Sequence, residues 1–215
     1  MTTPNDNDDV QPAVAAALLA LADLLETLPE PRWDTPSLCE GWRVREVVAH
    51  MTMAARYSPA EFGAELGAAQ GDFTVLSNRV AARDGALPLG DLLGSLRSDV
   101  MQHWTPPGGG SAGALNHAVI HGLDITVPLG AERLSPDDTI RAVLDGLTRG
   151  GIHAHFGTDL TGIELRATDL DWSFGSGRLV TGAAQDIALD ICGRTLPSGR
   201  LTVAGTVSGD ERQGR

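Results

Sequence analysis

The chain has 215 residues, enough for one large domain or two small ones with ample core. Its formal net charge of −12 argues against nucleic acid or an anionic membrane as partner. Its two cysteines, Cys39 and Cys192, are far apart and form no CxxC motif, which speaks against a disulfide framework and for a reducing compartment. The stretch Met1–Asp9 is acidic and lacks the basic and apolar regions of a signal peptide. No apolar run approaches the roughly 20 residues needed to span a bilayer. The expectation is a cytoplasmic protein.

The first two thirds of the chain read as helices. Val10, Val14, Ala17, Leu18, Leu21, Leu24, Leu25 and Leu28 keep a helical period, which Pro29 and Pro31 close. A loop with Trp33, Leu38, Cys39 and Trp42 follows, in which Trp42 and Leu38 are expected to pack the loop against the helices. Cys39 has no histidine at a defined spacing and sits beside Glu40, so it is not read as a nucleophile. Val44, Val47, Val48, Met51 and Ala55 mark a second helix with His50 on its flank. Glycines interrupt Ser58–Gly85, which is expected to be partly helical. Leu89, Leu92, Leu93, Leu96 and Val100 predict a third amphipathic helix, and the Thr-Pro-Pro-Gly-Gly-Gly run at 105–110 breaks it.

The next helix is the informative one. From Ala114 to Ile125, apolar residues cover most of the circumference, the pattern of a buried helix. The exceptions form a stripe, His117, His121 and Asp124, at i, i+4, i+7. Burying three polar groups without partners costs about 1–3 kcal/mol each. The stripe suits a metal held by both imidazoles, with a third ligand from another helix, an open fourth position, and Asp124 orienting one histidine. It also suits two core histidines bonded to carbonyls. Ser135 and Pro136 then open a last long helix with Ile140, Val143, Leu144 and Leu147 inward. His153 and His155, at i, i+2, diverge on a helix and read as a solvated terminus. His103 is equally compatible with a cavity wall and with the surface.

After about residue 158 the period changes. Ile163–Ala167 alternates like a strand, Asp171–Val180 reads as strand, glycine turn and strand, Ala183–Cys192 as a short helix ended by Gly193, and Leu201–Ala204 as a strand. The expected organisation is α+β: a helical domain over 1–157, a small α+β module over 158–208, and a disordered tail over 209–215.

Several segments resemble the mycothiol-dependent maleylpyruvate isomerase family. They are Trp33, the run Pro36-Ser-Leu-Cys-Glu-Gly-Trp-Arg-Val-Arg-Glu-Val-Val-Ala-His50, and His117-xxx-His121-xx-Asp124. The run Val180-Thr-Gly-Ala-Ala-Gln-Asp-Ile-Ala-Leu-Asp-Ile-Cys-Gly-Arg194 resembles that family's small tail domain. The resemblance implies a DinB-like metal-binding four-helix bundle followed by the α+β module. It implies a divalent metal, usually Zn2+, held by His50, His117 and His121, with mycothiol as co-substrate and a small electrophile as substrate. Metal binding deprotonates a thiol, and the thiolate adds to the cis double bond of maleylpyruvate, permits rotation and leaves. A cation is wanted for the substrate's carboxylates and developing enolate. The family likeness makes Arg194 the candidate, with a helix-dipole partner as the alternative.

One departure bears on substrate. The isomerase carries a glutamate where this chain has His117, whereas the wider DinB-like superfamily favours histidine. The family reading therefore extends to thiol transfer onto other electrophiles. A non-catalytic metal- or ligand-binding protein is the competing reading, and fold alone does not separate the two. Monomer and homodimer are both compatible with the sequence.

Overall fold

The structure is a computed structural model that describes residues 10–149 and 156–204. The tail expected at 209–215, like His153 and His155, lies outside the described residues. The chain divides into two compact units, Met1–Gly146 and Leu147–Arg215.

The first unit is helical. Helix α1 (Gln11–Glu26) carries Pro12 in its first turn, where no intrahelical N–H is required, and buries Val14, Leu18, Leu21, Ala22 and Leu25. A 3-10 turn, Glu30–Asp34, seats the buried Trp33. A loop closed by the antiparallel bridge Pro36–Arg43 then leads into α2 (Val44–Met51).

The period of α2 runs on past Met51, but the helix stops. Thr52 turns its hydroxyl back to the Val48 carbonyl at 2.7 Å, and Arg56 reaches from the next turn to the Ala49 carbonyl at 2.6 Å. Such back-bonding bends helices, and α3 (Met53–Arg56) continues as a separate piece. The undecided stretch is two helices. α4 (Pro59–Ala68) starts from Ser58, whose side chain accepts from the Glu61 N–H. α5 (Phe73–Asp84) is capped by Asp72, whose carboxylate accepts from Thr74 and Val75. Between them Gln70 and Gly71 take left-handed φ values of 55° and 82°, which end α4.

The expected third helix also divides. α6 (Leu89–Leu96) ends at Arg97, and Ser98 caps a new start for α7 (Asp99–His103), its hydroxyl accepting from the Met101 N–H. Val100, expected on the inner face, is therefore 53 % exposed. α8 (Gly110–Leu129) is the longest helix among the described residues and ends on left-handed Gly130. It packs along α1 and α2. α9 (Asp137–Thr148) begins in this unit and ends two residues past its boundary at Gly146, with Ile140, Val143, Leu144 and Leu147 completely buried. The Pro136 carbonyl accepts its first helical bond, from Ile140.

The second unit holds a four-stranded sheet in the order β2-β1-β3-β4, with β1 (Ile163–Ala167), β2 (Ser173–Gly175), β3 (Arg178–Gly182) and β4 (Leu201–Val203). Strands β2 and β3 follow one another in sequence but do not pair. They flank β1, β2 antiparallel and β3 parallel to it. The chain crosses the start of β1 at Gly177, whose φ is +123° and where any Cβ would overlap the carbonyl oxygen of Gly162. Helix α10 (Ala184–Ile191) packs on β1 and β3, and left-handed Gly193 ends it. The fold class is thus the expected one: a helical bundle followed by a small α+β module.

Candidate metal centre

Direct packing of α2 on α8 brings the three histidines together. His50 is in the last turn of α2, which is 7 % exposed at that residue. His117 and His121 stand one turn apart on α8. One ring nitrogen from each lies within 4.8 Å of the others. The ring centroids are 5.4 Å apart for His50–His117, 4.9 Å for His50–His121 and 4.7 Å for His117–His121. The predicted stripe on α8 is therefore one wall of a cluster, with His50 as the member from another helix.

The donor chemistry fits a divalent cation. Burial first, and then the nearby His121, push the pKa of His117 well below the ordinary histidine value, so its imidazole is neutral and keeps a lone pair. His121 Nδ1 lies 2.9 Å from Asp124 Oδ2. A carboxylate accepts, so Nδ1 carries the proton and Nε2 carries the lone pair. Asp124 is completely buried, the situation in which a carboxylate orients a metal-ligating histidine.

Sequence reasoning missed what surrounds the three rings. The indole of Trp42 lies 5.0 Å from His50, fixed by a hydrogen bond from its Nε1 to Asn78 Oδ1 at 2.9 Å. Phe73, at the start of α5, lies 6.2 Å from His50, and Trp104 lies 5.1 Å from His117. Trp42 was expected only to pack its loop. His103 turns out to be a surface residue, hydrogen-bonded through Nδ1 to the Asp99 carbonyl.

Cys39, not read as a nucleophile from the sequence, lies beside the cluster. Its thiol donates to Asp124 Oδ2 at 3.1 Å and lies 3.8 Å from His121 Nδ1. Spacing along the chain gives no hint of this, because 82 residues separate Cys39 from His121. Arg194 belongs to the second unit, where its guanidinium donates to the Cys192 carbonyl at 3.2 Å, at the end of α10.

Residues 14–105 match the family described as the mycothiol maleylpyruvate isomerase N-terminal domain. This part of the chain is similar to that domain. Two solved structures share the fold across nearly the whole length. A mycothiol-dependent maleylpyruvate isomerase aligns at 15% identity with a TM-score of 0.57, covering 95% of this chain and 96% of that one. A histidine-to-alanine mutant of a mycothiol-dependent maleylpyruvate isomerase aligns at 17% identity with a TM-score of 0.59 and the same coverage. None of the curated proteins matches the chain significantly. The family match includes His50 and ends before α8, so the assignment of His117 and His121 rests on the geometry above.

Proposed function

We propose that the protein is a metal-dependent enzyme that uses mycothiol, an isomerase or S-transferase acting on a small electrophile in the cytoplasm. The observation that carries this reading is the convergence of His50, His117 and His121 from two packed helices, one nitrogen from each within 4.8 Å of the others. Three protein ligands are the number that catalytic zinc sites use, one position being left for water or substrate. A divalent metal bound there would supply the Lewis acidity that turns a thiol into a thiolate at neutral pH.

The chain's own groups prepare that chemistry. Asp124 fixes the tautomer and ring orientation of His121. Burial keeps His117 neutral and ready to ligate. Trp42 and Trp104 cover the flanks of His50 and His117 and limit the access of water to the rings. Three neutral imidazoles bring no negative charge of their own to a dication, leaving the Asp124 carboxylate behind His121 as the nearby anion. That favours an anionic thiolate, and makes the site one unit more positive than a site in which a glutamate replaces His117. The resemblance to the family carries Arg194 over as the group that binds a carboxylate of the substrate. No helix among the described residues is long and apolar enough to cross a membrane.

The test is thermal unfolding of the zinc-loaded protein against mycothiol. A ligand present at about 100 times its Kd stabilises by roughly 2.7 kcal/mol and raises the midpoint in a dose-dependent way. No shift with mycothiol, at a metal content of one per chain, would leave a metal protein without this co-substrate.

A further inference from the structure

Helix α8 has a proline, Pro128, in its last turn. A proline has no N–H, so the carbonyl of Asp124, four residues earlier, loses its helical donor. The backbone N–H of Leu38 supplies a replacement at 3.0 Å. This bond docks the loop after the 3-10 turn onto α8 at the residue that orients His121. The loop is stiff at that point: Ser37 Oγ accepts from the Cys39 N–H at 3.1 Å and donates to the Trp42 carbonyl at 2.8 Å, and the Trp42 N–H donates to the Cys39 carbonyl at 3.0 Å. The next side chain after Leu38 is Cys39, and its thiol is thereby delivered to Asp124 Oδ2 at 3.1 Å. The same oxygen takes the Nδ1 proton of His121.

We propose that Cys39 is a positioning residue of the metal centre: its S–H, donating to Asp124 Oδ2, holds the carboxylate in the orientation that fixes the tautomer of His121. The proposal rests on the metal reading of the three histidines. A carboxylate sealed from water needs donors to stay put, and a buried acceptor that loses one is destabilised. Here two donors converge on a single oxygen from opposite partners, the loop and the helix. The carboxylate is thereby clamped between Cys39 and His121, and the alignment of one metal ligand depends on a loop 82 residues away in sequence.

The experiment compares Cys39→Ala and Cys39→Ser with the wild-type chain by two readouts. The first is affinity for Zn2+, measured by competition with a chromophoric chelator. Cys39→Ala is expected to weaken binding about tenfold, at the lower edge of the effect of losing a partner that orients a ligand. Cys39→Ser, which keeps a donor, is expected to recover most of it. The second readout is the 15N spectrum of the His121 imidazole in metal-free protein, where Cys39→Ala is expected to turn a single Nδ1–H tautomer into a mixture. Equal zinc affinity in Cys39→Ala and wild type, or an unchanged tautomer, overturns the proposal. A thiolate-to-metal absorption band in Co2+-loaded wild type that Cys39→Ser abolishes would also overturn it, by making Cys39 a ligand. A wild-type chain that takes up no metal would instead strike at the metal reading, while the imidazole spectrum would still decide what Cys39 does.

Discussion

The carbonyl of Asp124 accepts the backbone N–H of Leu38 because residue 128, one helical turn further on, is a proline. Through that one bond the loop carrying Cys39 and Trp42 is attached to the helix carrying His117 and His121. The loop is thus part of the histidine cluster: Trp42 covers His50, and Cys39 reaches the carboxylate behind His121.

The Asp124 carboxylate should matter to metal affinity more than to fold. Asp124→Asn keeps the size of the side chain but removes the anionic acceptor for His121 Nδ1–H. Zinc affinity is expected to fall by roughly 10–100-fold, with the far-UV spectrum unchanged. Chelator competition measures the first quantity and circular dichroism the second. Unchanged affinity would make Asp124 an ordinary buried helix residue.

Away from the metal centre, Asp84 predicts how the bundle responds to acid. Burial pushes its pKa up, but hydrogen bonds from the Tyr57 hydroxyl at 2.6 Å and from Arg83 and Arg56 outweigh that, holding it below the ordinary carboxylate value. The folded pKa is therefore lower than the unfolded one, near 3.9. The stabilisation is complete above that value and is lost as pH falls through the folded value. Asp84→Asn should cost on the order of 3 kcal/mol at pH 7, as breaking a buried ion pair does. The difference from wild type should shrink as pH drops below about 4. Urea unfolding of both proteins at pH 7 and at low pH measures this, and a difference independent of pH would refute it.

Arg194 gives a prediction about turnover. If it binds a substrate carboxylate, Arg194→Lys should retain stoichiometric metal and lower kcat/KM for a carboxylate-bearing electrophile by about 10–100-fold, since lysine does not reproduce the bidentate fork. Its bond to the Cys192 carbonyl at the end of α10 offers the competing role, a helix-end partner. That role would show as a lower midpoint of thermal unfolding with kcat/KM intact.

The sequence makes the helices legible where a face is buried without interruption. The inward residues of α1 and the polar stripe of α8 stand where their 3.6-residue period puts them, and the stripe already selects His117, His121 and Asp124. Periodicity fails where a side chain competes for the backbone. Thr52 stops α2 by bonding to Val48, and Ser98 restarts the chain as α7, leaving Val100 in solvent. In the second unit the alternation finds every strand among the described residues but not the pairing, because the crossing at Gly177 depends on a close approach to Gly162 that no local pattern encodes. The place of Cys39 was hidden for a similar reason: a missing N–H at Pro128 decides it, on a helix far away in sequence.

Whether His50, His117 and His121 hold a divalent metal is tested by the metal content of the wild-type chain and of His121→Ala after dialysis against a weak chelator. About one zinc per chain is expected in the wild type and almost none in the variant, since two remaining imidazoles do not hold the ion against competition. Equal metal in both proteins, or none in the wild type, would contradict ligation by the three histidines.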